Sequence, residues 1–492
     1  MKLRFPKLHF EKEYFLFLLP LFFVLHGFVQ NFEYIHAEDA LFLFLKYIIA
    51  TFVLCLLLLL FYRSWRKAAV FTFFLLCIYF FFGPLHDQLK EWFNESVFTK
   101  YTFLLPFFFL VFTILLISIK RKTSRFNRFT KYANTLLLVL IVIDLFLLLR
   151  HGFQKDEKPV IQNINPCNDC PKPDIYFIVA DEYAGNRQLK EVLGFDNSTF
   201  ENELRKRGFI ILDSTKSNYN YTPFSIASTL QMNYLNGIVG RNQNKQDREL
   251  CKQIINHSTV AAYLKQLGYS LKNYSVFYLD DEEPPVGSTL FTLAGTDLIS
   301  SQTLFSRINR DIRFNTVATF KWKTEMKRFT DNERNRTQKI YALTKKESEK
   351  PSVVPRFVYT HLMMPHYPYF FNSKGEPYPV ENLMEGNQHR TDAYLEYLQY
   401  SNKKFLELID HLLRTSKQPP VILLIGDHGF RHSSNMDQSY HFMNLNAVFF
   451  PDKKYDGFYN GMTNVNQFRV LLNTLFNQQL PMLKDSTSFL QE

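Results

Sequence analysis

Five apolar segments before residue 150 constrain this chain more than any other feature of its sequence. They cover residues 14–30, 40–62, 68–83, 101–119 and 133–149. Most of them approach the roughly 20 residues that a helix needs to cross a bilayer. The third is shorter, which makes it a candidate for a re-entrant segment. No small-residue cleavage site follows the first segment, so we predict that it stays in the protein as a membrane helix.

The charges between these segments predict how the chain crosses the membrane. The loop after the first segment carries acids and neither Lys nor Arg. The stretch before the first segment and the loop between the fourth and fifth are basic; their basic residues are Lys2, Arg4, Lys7 and Lys12, and then Lys120, Arg121, Lys122, Arg125, Arg128 and Lys131. Because basic loops stay in the cytoplasm, we predict a multi-pass protein of the cytoplasmic (inner) membrane with its N-terminus inside. The alternation argues against a bundle of buried core helices.

Five crossings would place everything after residue 150 on the extracytoplasmic, periplasmic side. The formal charge of +11 is largely explained by the basic membrane loops, so it does not indicate a nucleic-acid partner, and we predict none. Residues 151–173 show no clear period and are typical of a linker. Cys167 and Cys170 form a lone CxxC motif. A zinc knuckle would need two further ligands and a thioredoxin motif a βαβ context, so we predict a local disulfide.

Two short hydrophobic runs beyond the linker each end in side chains that can bind a metal. Residues 421–425 are five consecutive aliphatics followed by Gly426-Asp427-His428-Gly429, and the run from Ile175 to Ala180 is followed by Asp181 and Glu182. Each run has the length of a strand buried on both faces. Open α/β sheets place their sites at the carboxyl ends of such strands.

If the two strands lie in one sheet, these acids and the imidazole of His428 converge on one point. Oxygen ligands combined with an imidazole suit Zn²⁺ or Mn²⁺ better than Ca²⁺ or Mg²⁺. The alternative for either run is a strand followed by an ordinary polar turn. Because the same design occurs twice, we predict one divalent metal site.

Thr222 and Pro223 predict the start of a helix, with Thr222 as the N-cap and proline in the first turn. A hydroxyl at this place lies over free backbone N–H groups and the positive end of the helix dipole, which favours a phosphate or a developing oxyanion. The alternative is that Thr222 only caps the helix. A bound metal would lower the pKa of the hydroxyl and make Thr222 a nucleophile.

With these motifs the chain resembles the alkaline phosphatase/sulfatase superfamily over about residues 172–480. Ile178-Val-Ala-Asp181-Glu182 is similar to the opening strand-and-acid motif of that superfamily, and Gly426-Asp427-His428-Gly429 is similar to its second metal motif. The resemblance implies an α/β three-layer sandwich over residues 174–492, after a transmembrane domain of five helices over residues 1–150. It also implies a metal bound by Asp181, Glu182, Thr222, Asp427 and His428.

The resemblance assigns the nucleophile to Thr222, because the diesterase branch carries a Thr with a Ser six positions later, as Thr222 and Ser228 do. Ser225 is the fallback nucleophile. Sulfatases instead convert a Cys or Ser within a Cys/Ser-x-Pro-Ser-Arg motif to formylglycine. This chain has neither a cysteine nor Pro-Ser-Arg at that place, so we predict phosphoryl chemistry rather than sulfate ester cleavage.

Further residues are predicted on the substrate side. His366 matches a histidine that lipoteichoic acid synthases and phosphoethanolamine transferases carry before an aromatic/proline pair. Arg431 and His432 are placed to meet a phosphate, and His441 matches a late histidine of the superfamily; the remaining substrate candidate is Asn218. His361 closes a strand, where a histidine is more often packed or hydrogen-bonded. No Asp-x-x-x-His pair, as many two-zinc members have, is evident near His366, which leaves a second metal unsupported.

The sequence therefore predicts a membrane enzyme with an exported, metal-dependent catalytic domain. It would transfer a phosphoethanolamine- or phosphoglycerol-like group from a membrane lipid donor to an envelope glycan or lipid acceptor, through a phospho-threonine intermediate. We predict a monomer. One alternative is a metal-dependent phosphodiesterase or atypical sulfatase; the other is a catalytically inactive membrane protein that binds or scaffolds.

Overall fold

The chain divides into two compact units. One unit comprises residues 1–156 and 293–316, and the other comprises 157–292 and 317–492. The computed structural model describes residues 11–491 except 33–34, 94–95, 123–125, 154–164, 166, 168, 241, 243–244, 287–294, 314–315, 317–321, 384–386 and 434–435. The predicted linker, residues 151–173, lies largely outside the described residues, as do the first ten residues.

Five helices form most of the first unit: α1 (Phe15–Gln30), α2 (Ala37–Tyr62), α3 (Trp65–Phe93), α4 (Tyr101–Arg121) and α5 (Asn127–Phe153). Helices α2 to α5 are long and apolar enough to cross a membrane. Helix α1 has 16 residues, about 24 Å of helix against a hydrocarbon core of about 30 Å. The described residues therefore contain four membrane-length helices rather than the five predicted. The side on which the N-terminus lies stays a prediction.

Helix α3 differs from its prediction. The sequence predicted a short apolar segment over residues 68–83, which made it a candidate for a re-entrant segment. The structure has one helix of 29 residues with non-helical torsion angles at Phe81. A kink of this kind lets a helix continue past a proline. The prediction that this segment is short is therefore wrong, and its re-entrant course stays a prediction.

A second part of the chain completes the first unit. Residues 295–313 form two short helices, Asp297–Ser300 and Leu304–Ile308, and a π-helical turn. Ile299 is buried against Gly27 of α1, where even a methyl group would come within 2.9 Å of it. Arg307 is also buried and donates hydrogen bonds to both carboxylate oxygens of Asp87 in α3, at 2.8 and 2.6 Å. This placement could not be predicted, since the segment has no membrane-length apolar run.

The second unit is built on a six-stranded sheet with the order β2-β6-β5-β1-β4-β3. The strands are β1 (Ile175–Ala180), β2 (Ile210–Ile211), β3 (Ser270–Tyr274), β4 (Arg356–Leu362), β5 (Val421–Gly426) and β6 (Asn446–Phe449). Strand β1 pairs in parallel with β4 and β5, and β3 pairs in parallel with β4. Strand β6 runs antiparallel to β5 and β2. Strands β1, β4 and β5 are buried along their whole length. The continuous hydrophobic runs of β1 and β5 predict this burial, whereas β4 also buries Arg356, Thr360 and His361.

Helices cover both faces of this sheet, and alternate residues of β1 point into two separate cores. Phe177 belongs to the core on one face, with the helix that begins at Thr222, and Ile178 belongs to the core on the other face. The predicted three-layer α/β sandwich is thereby confirmed. The helices of this unit are Asn186–Glu191, Ser198–Lys206, Thr222–Gln231, Lys245–Asn256, Thr259–Gln266, Lys323–Glu349, Thr391–Thr415 and Gln467–Phe476.

The CxxC motif lies just before β1. Cys167 and Cys170 are joined by a disulfide with their Cα atoms 5.6 Å apart, as the sequence predicted. Cys251 is a free, buried cysteine. Burial raises the pKa of its thiol, so it behaves as a small apolar side chain.

Candidate active site

The sheet brings the two acidic strand ends together. Strand β5 is the direct neighbour of β1, and their register pairs Ala180 with Gly426. The next residue on each strand is an acid, so Asp181 and Asp427 emerge side by side at the carboxyl edge of the sheet. Both carboxylates are completely buried. Two anions in this position need a compensating positive charge.

A histidine from the third buried strand joins them. Strand β4 lies on the other side of β1, and its register places His361 opposite Val179. One ligand atom each from Asp181, His361 and Asp427 lies within 4.8 Å of the others. His361 Nε2 is 2.9 Å from Asp181 Oδ2, and its Nδ1 is 3.1 Å from the Tyr359 hydroxyl. These contacts fix the orientation of the imidazole ring.

His361 was missing from the predicted ligand set. As a lone histidine near a strand end it was interpreted as packed, and only the register of β4 against β1 shows that it faces Asp181. The available signal was its position at the carboxyl end of a buried strand, where sites of this sheet type lie.

His428 and Thr222 lie next to these three residues. His428 Nε2 lies 3.3 Å from Asp427 Oδ2 and 3.3 Å from Thr222 Oγ1. Its Nδ1 lies 2.9 Å from the carbonyl oxygen of Gly429. Burial, and then the positive charge of Arg431, lower the pKa of His428 well below its ordinary value. The ring is therefore neutral, Nδ1–H donates to Gly429, and Nε2 accepts the Thr222 hydroxyl.

The helix that carries Thr222 begins one residue earlier than predicted. Its N-cap is Tyr221, Thr222 is its first residue, and no side chain caps it. The prediction of Thr222 as the N-cap is thus wrong, and the hydroxyl is directed to His428 instead. Ser225, the fallback nucleophile, donates its hydroxyl proton to the Asp427 carbonyl oxygen at 2.5 Å. That contact favours Thr222 as the nucleophile.

The carboxylate of Glu182 points away from the other predicted metal ligands. Its backbone has a φ of 56°, and its N–H donates to Asp427 Oδ1 at 2.9 Å. Its carboxylate lies outside the group formed by Asp181, His361 and Asp427. Glu182 Oε2 is 3.8 Å from His366 Nε2. Glu182 Oε1 is 3.8 Å from Arg431 Nε and 3.5 Å from His432 Nε2.

The charges around Glu182 keep it ionised. Burial opposes ionisation, but the positive charges of His432, His366 and Arg431 outweigh burial and lower the pKa of the Glu182 carboxyl to about 2. Burial and the charge of Asp427 raise the pKa of Asp181 well above its ordinary value. The two adjacent acids, Asp181 and Glu182, therefore differ in electrostatic environment: among the described residues, positive charge outweighs burial at Glu182 but not at Asp181.

Buried carboxylate oxygens without a hydrogen-bond partner indicate whether these residues can bind a metal. Within the described part of the chain, Asp181 Oδ1, Glu182 Oε2 and Asp427 Oδ2 are buried without a hydrogen-bond partner. A buried polar atom without a partner costs about 1–3 kcal/mol, and more when it is charged. Carboxylate oxygens with one or two imidazoles are a suitable donor set for Zn²⁺ or Mn²⁺. The residues therefore fit a divalent cation.

The other predicted substrate residues are distributed unevenly. The Arg431 guanidinium lies 4.5 Å above the ring of Tyr221, beside the start of the Thr222 helix. His441 Nδ1 is buried and makes no hydrogen bond to any described residue. Burial, and then Arg431, lower its pKa to about 4. The amide of Asn218 is already used: it contacts the backbone of Val465 and Ser486 and the hydroxyl of Tyr234. A substrate contact for Asn218 stays a prediction.

The loop after β5 is held by close backbone approaches. Gln188 donates to the carbonyl oxygen of Phe430 at 2.6 Å and accepts from the Phe430 N–H at 3.0 Å. A methyl group on Gly429 would lie 2.6 Å from Gln188 Oε1 and from the Met443 carbonyl oxygen, and would also meet the Tyr440 carbonyl oxygen. Only glycine leaves room for this loop, which carries His428 and Arg431.

We therefore expect Gly429→Ala to destabilise the protein by about 2 kcal/mol, because the backbone must shift to admit the methyl group. Thermal unfolding of the purified full chain in detergent should show a midpoint several degrees lower. Ser433→Ala, in the same loop, serves as the control and should leave the midpoint unchanged. Equal midpoints for wild type and Gly429→Ala would contradict the close approach.

Comparison with known proteins identifies the family of this chain. The family model described as Sulfatase matches residues 177–470, more than half of the chain. No curated protein matches the sequence. Similar solved structures include the C-terminal periplasmic domain of EcEptC from Escherichia coli, with 10% identity, a TM-score of 0.40, and coverage of 67% of this chain and 94% of that chain.

Two further structures are similar to the chain. The soluble domain of lipooligosaccharide phosphoethanolamine transferase A from Neisseria meningitidis is 11% identical with a TM-score of 0.37, and the match covers 64% of this chain and 91% of that chain. Phosphonate monoester hydrolase SpPMH from Silicibacter pomeroyi is 12% identical with a TM-score of 0.39, and the match covers 64% of this chain and 76% of that chain.

Proposed function

Since the chain belongs to the sulfatase family, and is therefore a sulfatase-like hydrolase or transferase, we propose that it transfers a phospho-substituent from a membrane lipid to an envelope glycan or lipid. The group transferred is phosphoethanolamine- or phosphoglycerol-like. The observation that carries this proposal is the contact of Thr222 Oγ1 with the neutral Nε2 of His428, beside Asp427, at the first residue of a buried helix.

Phosphoryl chemistry is favoured over sulfate ester cleavage. The helix Thr222–Gln231 contains no cysteine, and Ser225 is not followed by the Pro-Ser-Arg sequence that formylglycine formation requires. The residue in the nucleophile position is thus an unmodified Thr hydroxyl. Hydrolysis by water in place of an acceptor alcohol is the second candidate, because the same phospho-Thr222 intermediate serves both reactions.

In the proposed first step, a bond forms between Thr222 Oγ1 and phosphorus while the bond from phosphorus to the alcohol oxygen of the lipid breaks. The Thr222 proton ends on that alcohol. His428 Nε2 orients the hydroxyl by accepting its hydrogen bond, and the free N–H groups of the helix start face the phosphoryl oxygens. Arg431 supplies positive charge on the substrate side, and His432 supplies an imidazole that can hydrogen-bond to the substrate. In the second step an acceptor hydroxyl displaces Thr222, which regains a proton.

The metal would be held by Asp181, His361 and Asp427, with His428, Thr222 and Glu182 alongside. When bound, a divalent cation would polarise the phosphoryl oxygen and lower the pKa of the Thr222 hydroxyl. We propose Zn²⁺ or Mn²⁺ at one site. We further propose that the N-terminus is cytoplasmic, that the catalytic unit is extracytoplasmic and that the protein is a monomer. The apolar helices support anchoring in the membrane, close to a lipid donor.

Intact-mass analysis after incubation with membrane phospholipids tests the covalent step. We expect wild type to gain the mass of one phospho-substituent and Thr222→Ala to gain none. Ser225→Ala should still form the adduct, because Ser225 donates to a backbone carbonyl and does not reach the reacting atoms in this role. An adduct that persists in Thr222→Ala and disappears in Ser225→Ala would move the nucleophile to Ser225. The absence of any adduct in wild type would contradict the mechanism.

A further inference from the structure

A pocket of about 180 Å³ opens beside the loop that carries His366. Its walls come from the helices Lys323–Glu349 and Thr391–Thr415 and from the loop that follows β4. The residues that form its apolar surface are Tyr341, Met364, Phe370, Phe371, Tyr397 and Tyr400. Neither the proposed metal ligands (Asp181, His361 and Asp427) nor the proposed nucleophile Thr222 lines this pocket. The pocket therefore has no role in the chemistry described above.

Aromatic rings dominate the apolar part of this pocket. The rings of Phe371 and Tyr400 stack with centroids 4.7 Å apart and planes 29° apart. Tyr397 and Tyr400 stack with centroids 5.9 Å apart and planes only 9° apart. Among the described residues, Met364 is the one aliphatic side chain in the apolar lining. A wall of this kind suits a flat or chair-shaped ring better than a long flexible chain.

Polar groups complete the lining, and their charges are already balanced. Arg334 donates to Asp331 at 2.7 Å, and Lys404 pairs with Glu407 at 2.7 Å. A pocket whose two cations each have a carboxylate partner does not favour a phosphate or another anion. It favours a neutral ligand that carries hydrogen-bonding groups.

One buried hydroxyl points to such a ligand. Thr337 lines the pocket, is 5% exposed, and its Oγ1 has no hydrogen-bond partner among the described residues. The exposed amide of Gln338 lies next to it in the lining. A ligand with hydroxyl groups can satisfy Thr337 Oγ1, whereas an acyl chain would leave it unpaired.

The pocket is linked to the active site through one loop. Met364, in the pocket, precedes His366 by two residues, and Phe370 and Phe371 follow it within five. His366 Nε2 lies 3.8 Å from Glu182 Oε2 in the active site. A ring bound in the pocket is therefore adjacent to the segment that presents His366 to the substrate.

We propose that this pocket binds a neutral sugar ring of the acceptor, so that the acceptor is a glycan or a glycolipid with its sugar seated against Phe371 and Tyr400. This inference rests on the proposed function, which it deepens by naming the acceptor class. The apolar faces of the sugar stack on the aromatic wall, and its hydroxyl groups bond to Thr337 and Gln338.

Saturation-transfer NMR on the full chain in nanodiscs tests the pocket without turnover. The probes are the methyl glycosides of glucose, galactose and N-acetylglucosamine. We expect ring-proton signals with wild type, with Thr222→Ala and with Tyr400→Phe, which keeps the aromatic face. Tyr400→Ala should lose at least about five-fold in signal, since stacking contributes on the order of 1 kcal/mol. Tyr278→Ala, a tyrosine outside the pocket, should bind like wild type.

The outcomes separate this inference from the proposed function. The pocket assignment is overturned if wild type gives no sugar signal, or if Tyr400→Ala and wild type bind the sugars equally. In either case, an adduct on Thr222 with phospholipid would leave the proposed function standing. Sugar binding without any Thr222 adduct would retain the pocket and reject the transferase mechanism. Where turnover is measured, Tyr400→Ala should raise the acceptor KM and leave the rate of adduct formation unchanged.

Discussion

Thr222→Ala is expected to lower kcat by about 10⁴-fold or more, because removal of a covalent nucleophile leaves only the binding and electrostatic contributions of the site. The side chain is 2% exposed and its γ-oxygen lies 3.3 Å from His428 Nε2. Loss of its hydroxyl removes no other hydrogen bond that the structure shows. The fold should therefore tolerate the change, and the loss of activity should not come from unfolding. Release of the lipid alcohol from a phospholipid donor is the measurement.

Thr229→Ala is the matched control for this substitution. Thr229 lies in the same helix, is equally buried and donates to the carbonyl oxygen of Ser225 at 2.7 Å. Its replacement should reduce stability slightly and leave kcat within a few-fold of wild type. Thr222→Ser should retain partial activity, because a hydroxyl remains at the same position. Activity of Thr222→Ala near the wild-type level would exclude Thr222 as the nucleophile.

Asp427→Asn is expected to remove the bound metal and to reduce kcat by about 10³-fold, the equivalent of several kcal/mol of lost charge stabilisation. Asp427 contributes to both parts of the site, since it lies beside Asp181 and His361 on one side and beside His428 on the other. Asparagine can keep Oδ1 as the acceptor for the N–H groups of Glu182 and His428. The substitution therefore changes the charge with little change in backbone structure.

Metal content measured on the purified chain gives a readout that is independent of activity. Wild type should retain close to one equivalent of Zn²⁺ or Mn²⁺, and Asp427→Asn should retain almost none. Asp452→Asn, at an exposed acid, should match wild type in metal content and in kcat. Full metal content in Asp427→Asn would show that the cation is held elsewhere, for example by Glu182 and its histidines.

Patterns along single strands predicted the core of this site. The runs before Asp181 and Asp427 are continuous hydrophobic stretches of strand length, and such stretches are buried on both faces in a parallel sheet. Once both strands lie in one sheet, their acidic ends must meet. Thr222 and His428 were placed near these acids by the resemblance and by the Gly-Asp-His-Gly motif. His428 lies 3.3 Å from Asp427 and 3.3 Å from Thr222, while their roles stay predictions.

Features that depend on strand register and backbone torsion angles could not be predicted from the sequence. His361 faces Asp181 only because β4 pairs with β1 so that His361 is opposite Val179. Glu182 separates from Asp181 because its positive φ turns the backbone immediately after the strand. In the membrane region, the third apolar segment was predicted to end at residue 83, whereas the helix continues to Phe93 with a kink at Phe81. Each of these outcomes is decided by neighbours that are distant in the chain.

The placement of residues 295–313 has a practical consequence for the production of a water-soluble catalytic fragment. A truncation that begins near residue 157 would remove α1 and α3 but keep the segment that packs against them. Ile299 and Arg307, which are 2% and 5% exposed in the full chain, would lose Gly27 and Asp87 as partners and face solvent. Such a fragment should aggregate unless residues 293–316 are also deleted and replaced by a short hydrophilic linker.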